Sequence, residues 1–126
     1  MEKGKLITYW IVTALMAFGM ASSGTMQLIR TKEMSEMIAH LGYPMYIMSI
    51  LGTWKILAVI AVLLPGFKLV KEWAYAGLFF LMSGALVSHL VLGDGMKEVI
   101  GSLMQTLFII LSWYFRPASR KLVVNG

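Results

Sequence analysis

The sequence predicts an all-α membrane protein in which four transmembrane helices form an antiparallel bundle, with a short interfacial helix between the first two. Hydrophobic residues make up 59% of the 126 residues, charged residues make up only 13%, and the mean hydropathy is +0.78. In soluble domains roughly a quarter of all residues are charged. At about 20 residues per crossing, the apolar content suffices for four helices. No length remains for a soluble catalytic domain, so we expect residues 1–126 to form a single membrane domain.

The first span is predicted over residues 6–29, an apolar stretch long enough to cross a bilayer with some tilt. Lys3 and Lys5 before it, and the small residues within it, also fit a secretory signal peptide. The stretch is longer than the apolar core of such signals, which has about 7–15 residues. We therefore expect a retained helix.

The next segment, residues 32–41, has the pattern of a short amphipathic helix. Its apolar residues recur at i, i+3, i+4 and i+7, opposite a charged face, and are Met34, Met37, Ile38 and Leu41. Gly42 is suited to the C-terminal end of this helix, and Pro44 cannot continue it. Because the segment lies between two apolar stretches, we expect it to lie at the membrane interface.

Three further spans follow, each bounded by residues that end helices. They are predicted at residues 46–64, 73–92 and 98–115. Pro65 and Gly66 separate the first two, and the run from Gly93 to Gly95 forms a tight turn before the last. Such short connections make consecutive spans antiparallel neighbours.

The charges divide unequally between the two sides of this topology. The side of the N-terminus carries seven basic and two acidic residues, whereas the other side carries three basic and four acidic residues. The excess of lysine and arginine marks the cytoplasmic side, so both termini are expected in the cytoplasm. The net charge of +5 is thereby explained by orientation. No basic, aromatic-rich soluble surface is present, and we expect no nucleic-acid partner.

Lys55 is the sharpest functional candidate, because it lies at the middle of the second span. It is about 14 Å from either helix end, which is too deep for its ammonium group to reach water. A lysine at this depth costs about 2.5–3.5 kcal/mol, so it is expected to face the bundle or a hydrated cavity and to have a partner.

Counting residues from the helix ends places other polar residues in the same outer half of the membrane. These are Gln27, Gln105, His89, Ser22, Ser23 and Ser88, below an outer surface that carries Glu33, Glu36, Asp94 and Glu98. An outward-opening polar pocket follows as a hypothesis. In it Lys55 binds an anionic or carbonyl-bearing head group, while apolar helix faces hold a tail. The alternative is a structural lysine, bonded to backbone carbonyls or to Glu33 or Glu36.

Two other side chains can each be interpreted as either structural or ligand-binding. His89 is either a hydrogen-bonded structural histidine or a donor and proton carrier beside Lys55. Trp54 is a candidate to stack on a ligand ring, although filling the bundle is the simpler role. A metal site of His40, His89, Asp94 and a glutamate would have suitable atoms, but no ligand spacing supports it and we expect none.

Small residues predict where the helices approach each other closely. The expected contact positions are Gly19, Gly77, Gly84 and Gly101. Cysteine is absent, which excludes disulfides and dithiol chemistry carried by this chain. Because no nucleophile and base pair, phosphate loop or paired carboxylates occur at recognisable spacing, we expect no catalytic activity of the chain's own.

Several short motifs, in this order and spacing, resemble the DoxX-like family of small four-helix membrane proteins. They are Leu41-Gly42-Tyr43-Pro44, Leu51-Gly52 with Lys55, Leu57-Ala58, Leu63-Leu64-Pro65-Gly66, Lys71-Glu72-Trp73-Ala74-Tyr75-Ala76-Gly77, Gly84-Ala85, Ser88-His89 and Gly93-Asp94. The resemblance extends over about residues 6–115. It implies a multi-pass protein of a bacterial or archaeal inner membrane.

The resemblance leaves two functions open. The wider group includes the membrane subunit of a thiosulfate:quinone oxidoreductase and relatives that assist receptor assembly. One interpretation is a non-enzymatic module that binds a lipid or quinone, or assists assembly of a membrane protein partner or homodimer. The other is a subunit of a quinone-linked oxidoreductase, in which Lys55, His89 and Gln105 hold the quinone carbonyls. A small transporter is a third option, which would require dimerisation to enclose a pathway.

Overall fold

Five α-helices make up the protein in a computed structural model that describes residues 3–117 and 120. The helices are α1 (Lys3–Leu28), α2 (Lys32–His40), α3 (Ile47–Leu63), α4 (Lys68–Val91) and α5 (Met96–Tyr114). No strand occurs among these described residues, which confirms the predicted all-helical class. Two charges counted for the orientation, Glu2 and Lys121, lie outside them.

Two helices have both the length and the apolarity of a membrane-crossing helix. They are α1, with 26 residues, and α4, with 24 residues. Helix α3 is apolar but has only 17 residues. Helix α5 has 19 residues, and it is less apolar than α1 and α4 over a membrane-spanning length because it contains Lys97, Glu98 and several polar residues. Two of the four expected crossings are therefore supported by length and composition, and the other two stay predictions.

The four long helices form a bundle in which each has two neighbours. Helix α1 packs against α3 and α5, and α4 packs against the same two helices. Thr13 meets Ser112 and Gly19 meets Gln105, so residue numbers rise along α1 as they fall along α5. Neighbouring helices therefore run antiparallel.

Two helix ends are closed by glycines in the left-handed conformation. Gly42 follows α2 with φ 85°, and Gly93 follows α4 with φ 70°. At Gly93 the chain turns back, so that the backbone N–H of Asp94 donates to the carbonyl of His89 over 2.9 Å. This is the Schellman arrangement, which a residue without a Cβ adopts without strain. The turn delivers the Asp94 carboxylate to the His89 side chain.

The two halves of the bundle differ in character. The half that contains the start of α1 and the end of α5 holds the apolar core, which includes Met16, Val62, Leu78 and Ile109. The opposite half, next to α2, contains a cavity whose wall combines apolar residues with a set of polar and charged ones. Buried polar groups require hydrogen-bond partners, so this half, called here the polar half, is the candidate position of a functional site.

Candidate functional site

A cavity of about 1060 Å³ lies in the half of the bundle next to α2, and all five helices contribute to its wall. It brings together most of the polar residues that the sequence singled out. The predicted ligand-binding residues that line it are Gln27, Lys55, Ser88, His89 and Gln105, and the predicted rim residues are Glu33, Glu36 and Asp94. These residues are far apart in the chain and become neighbours only through helix packing.

Lys55 lies at the deep end of the cavity and is only 6% exposed. Its Nζ donates a hydrogen bond of 2.7 Å to the Oγ of Ser23 on α1. Within the described part of the chain, Ser23 is its hydrogen-bond partner and no carboxylate lies within ion-pair distance. The partners expected for a structural lysine, a backbone carbonyl, Glu33 or Glu36, are therefore wrong, and the hydroxyl of Ser23 takes their place. An ammonium group has three donors, and two of them stay available.

The Lys55–Ser23 contact depends on a very close approach of α1 and α3. A Cβ placed on Gly52 would lie 2.7 Å from the carbonyl oxygen of Gly24, and one on Gly24 would lie 3.1 Å from the Cβ of Lys55. Helices meet this closely only where both lack side chains. Neither glycine was among the predicted helix contacts, although the Leu51-Gly52 motif could have indicated Gly52.

Two amide oxygens in the cavity wall have no hydrogen-bond partner among the described residues. They are the Oε1 atoms of Gln27, which is 3% exposed, and of Gln105. Both residues line the same cavity as Lys55. A buried polar atom without a partner costs about 1–3 kcal/mol, so native proteins seldom leave two in one place. The site combines spare donors with spare acceptors.

Two histidines meet one carboxylate at the mouth of the cavity. His89 Nδ1 lies 2.6 Å from Asp94 Oδ2, and His40 Nε2 lies 2.5 Å from Asp94 Oδ1. Hydrogen bonds from His89 and then from His40 hold the pKa of Asp94 below its usual value. The contact ties α2 to the turn between α4 and α5. His40 and His89 each bond to Asp94. Among the described residues no cluster of three or more His, Asp or Glu side chains is placed to hold a metal ion.

Trp54 occupies a different place from the one expected. Its side chain is 62% exposed, so it does not fill the bundle, and it lines a second groove between α3 and α4. Residues 54 and 55 are about 100° apart around a helix, and directing Lys55 inward turns Trp54 outward. Gly77 also lines this second groove.

The predicted helix contacts are only partly present. A Cβ on Gly19 would lie 1.8 Å from Gln105 Nε2, so this glycine is a close-contact position between α1 and α5. Gly77, Gly84 and Gly101 have no atom within 4 Å of an added Cβ. The expectation of close helix packing at these three positions is wrong, since the faces that carry them border the cavity or the groove instead.

Two buried polar groups lie in the other half of the bundle. Lys71, counted among the charges of the cytoplasmic side in the predicted topology, is 1% exposed and donates to the carbonyls of Ala61, over 2.6 Å, and Leu64 at the end of α3. The hydroxyl of Ser112 lies 2.6 Å from that of Thr13 and 2.7 Å from that of Tyr75. Both groups hold helices together and are remote from the cavity.

Fold and cavity together define a small all-helical protein with a site between its helices that contains polar residues. The family model of the DoxX-like family matches residues 11–115. The chain belongs to the DoxX-like family, and the resemblance seen in its motifs is thereby confirmed. No curated protein and no solved structure matches the chain.

Proposed function

We propose that this protein is a non-enzymatic, four-span membrane protein that binds the polar head group of a lipid-like or quinone-like molecule in the cavity between its helices. The observation that carries the proposal is the combination of Lys55, which has spare donors, with the Gln27 and Gln105 oxygens, which have no partner. All three residues line one cavity.

The hydrogen-bonding groups specify the chemistry of the head group. An oxygen that accepts from Lys55 and hydroxyl groups that donate to Gln27 and Gln105 would give the lysine a second partner and each amide oxygen its first. A lone fatty-acid carboxylate accepts but does not donate. Carbonyl or ether oxygens next to hydroxyl groups meet both demands, as in a monoacylglycerol or a hydroquinone.

Charge at the mouth favours an uncharged head group. Its acidic residues Glu33, Glu36, Asp94 and Glu98 outnumber the one lysine there, Lys97. Like charges repel more strongly in a partly buried mouth than in water. An anion would be attracted by Lys55 but repelled at the opening, whereas a neutral hydroxylated head group meets no such barrier.

The proposal places α1, α3, α4 and α5 across the membrane, with both termini in the cytoplasm and α2 at the outer interface. Large apolar side chains project from several helices, including Phe18, Phe80 and Val91, which are 76%, 70% and 78% exposed. Apolar surface of this extent is typical of contact with lipid. Because the chain has no cysteine, single cysteines at residue 4 and residue 95 can test the topology. A membrane-impermeant thiol reagent is expected to label residue 95 in intact cells and residue 4 only after lysis.

Mass spectrometry of the purified protein tests the binding. We expect one class of neutral, hydroxyl-bearing amphiphile to be retained at a stoichiometric level and to be lost in Lys55→Met. Lys68→Met is the matched control, because Lys68 is exposed and does not line the cavity. Gln27→Leu and Gln105→Leu are expected to weaken retention individually.

Three outcomes have distinct meanings. Equal retention in the protein and in Lys55→Met, with both folded, would contradict the proposal. Retained quinone or hydroquinone lost in Lys55→Met would identify the ligand as quinone-like. Retained acylglycerol lost in the same variant would identify it as lipid-like.

A further inference from the structure

A second concave surface runs along the outside of the bundle between α3 and α4. It has a volume of about 770 Å³. It is lined by small residues of the two facing helices, Ala58, Ala61, Ala74 and Gly77, and by the rings of Trp54 and Trp73, among other residues. Small side chains on two facing helices leave space between them, and the two exposed rings add apolar surface to it.

This groove meets the polar cavity at one end. Lys55, Phe80 and Leu81 line both spaces, so the groove and the deep end of the cavity adjoin at these residues. Away from Lys55 the groove is lined by apolar and aromatic residues. A compartment with unpaired hydrogen-bonding atoms therefore lies next to an apolar one, and Lys55 belongs to the wall of both.

The cavity and the groove suit the two parts of an amphiphile, with the polar head group in the cavity and the hydrocarbon chain in the groove. From the junction the groove follows α3 toward Ala61 and α4 toward Val70, away from α2. Val70 precedes Leu81 by 11 residues, which corresponds to about 16 Å along the helix. A hydrocarbon chain that starts beside Lys55 would run along this length in the direction that leads away from the polar half of the bundle.

We propose that the groove between α3 and α4 holds the hydrocarbon chain of the molecule whose head group lies in the polar cavity. The ligand class is thus a neutral amphiphile with one chain directed between Trp54 and Trp73. This inference rests on the proposed function, since the head group at Lys55 sets the start of the chain. It adds a second subsite and a direction.

The two tryptophans make the chain's position measurable. Trp54 is adjacent to the junction, whereas Trp73 is seven residues from Phe80, or about 10 Å farther along the groove. In a variant with Trp10→Phe and Trp113→Phe, these two are the only tryptophans, because the chain has four. Bromine atoms on an acyl chain quench a tryptophan that they touch. The probes are monoacylglycerols brominated close to the ester or at the far end of the chain, with Trp54→Phe or Trp73→Phe separating the two signals.

We expect saturable quenching whose target depends on the bromine position. Bromine near the ester quenches Trp54 and distal bromine quenches Trp73, and unlabelled monoacylglycerol reverses both. Gly77→Phe is expected to remove the distal signal, because Gly77 lines the groove and an added Cβ there meets no atom within 4 Å. Ala76→Phe is the matched control, since this exposed neighbour does not line the groove.

The experiments distinguish an error in the proposed position of the hydrocarbon chain from an error in the proposed head-group site. If binding depends on Lys55 while quenching is independent of the bromine position or is unchanged by Gly77→Phe, the proposal that the groove holds the hydrocarbon chain is overturned. This result would not affect the proposed function. Quenching that neither saturates nor depends on Lys55 indicates ordinary bilayer lipid only and overturns the inference. Efficient disulfide formation between copies with Gly77→Cys indicates a second chain in the groove and also overturns it. Absence of any Lys55-dependent binding would overturn the proposed function itself.

Discussion

Gly52 faces Gly24 across the α1–α3 contact so closely that a Cβ on Gly52 would lie 2.7 Å from the carbonyl oxygen of Gly24 and 2.8 Å from the Cγ of Leu28. Neither helix backbone can yield here without moving the whole helix. One turn along α3, Lys55 donates to Ser23 on the opposite helix. The glycine contact therefore sets the separation at which the buried lysine finds its partner.

Gly52→Ala is expected to destabilise the protein by about 1–3 kcal/mol, because the added methyl group overpacks a contact between two backbones. Thermal unfolding in detergent measures the change. Gly77→Ala is the matched control, since its Cβ meets no atom within 4 Å and alanine favours a helix. A loss of stability as large at Gly77 as at Gly52 would contradict the account of the α1–α3 contact.

Gly19→Ala is expected to impair ligand retention with little effect on stability. The added Cβ would lie 1.8 Å from Gln105 Nε2, the end of a flexible side chain that can move aside. Moving this amide takes its oxygen away from the cavity. Mass spectrometry of bound amphiphile and the melting temperature measure the two effects. Gly4→Ala, in the same helix and with open space around it, is the control and should change neither the retention nor the melting temperature. Full ligand retention in Gly19→Ala would exclude a binding role for Gln105 in its present position.

Lys71→Met is expected to lower stability by about 1–3 kcal/mol without changing ligand retention. The side chain is 1% exposed, and its ammonium group donates to the carbonyls of Ala61 and Leu64. Methionine preserves the volume but leaves the last carbonyls of α3 without these charge-assisted bonds. Lys68→Met, one turn away on the same helix and exposed, should stay within about 0.5 kcal/mol of the parent protein. Equal melting temperatures for the two variants would show that the cap does not stabilise α3.

Asp94→Asn is expected to remove a pH-dependent part of the stability. Hydrogen bonds from His89 and then from His40 lower the pKa of Asp94 in the folded protein from its usual 3.8. Their stabilising contribution is therefore fully present above the unfolded-state pKa and is lost as the pH falls through the lower folded-state value. Melting temperatures of the protein and of Asp94→Asn should differ most near neutral pH and converge below about pH 4. Glu33→Gln, at the same mouth, serves as the control, and a constant gap at all pH values would contradict the linkage.

The sequence was sufficient to find the deep lysine and the polar residues at its level. Lys55 stands out as a charge inside an apolar stretch, and counting 1.5 Å per residue from the helix ends placed Gln27, Gln105 and His89 in the same half of the bundle. The structure places all four around one cavity. Depth along a helix is a local property, which the order of residues specifies.

Rotation about the helix axis was harder to predict. Helix α3 is apolar around its whole circumference apart from Lys55 and a few small or hydroxyl-bearing residues, so periodicity did not show which way Trp54 points. The same is true of Gly77 and Gly84, which face open space rather than another helix. In a membrane, exposed and packed faces have the same apolar character, and sequence patterns distinguish them poorly.

The order of residues is enough to predict that the chain is helical and related to the DoxX-like family, to exclude cysteine chemistry, and to find Lys55 deep in an apolar helix. The packing of the helices adds that Gly24 meets Gly52, that Lys71 caps α3, and that His40 reaches a carboxylate 54 residues later in the chain. Each of these contacts depends on how helix faces pair. That pairing follows from close packing and buried hydrogen bonds between distant residues, which hydrophobic periodicity does not encode.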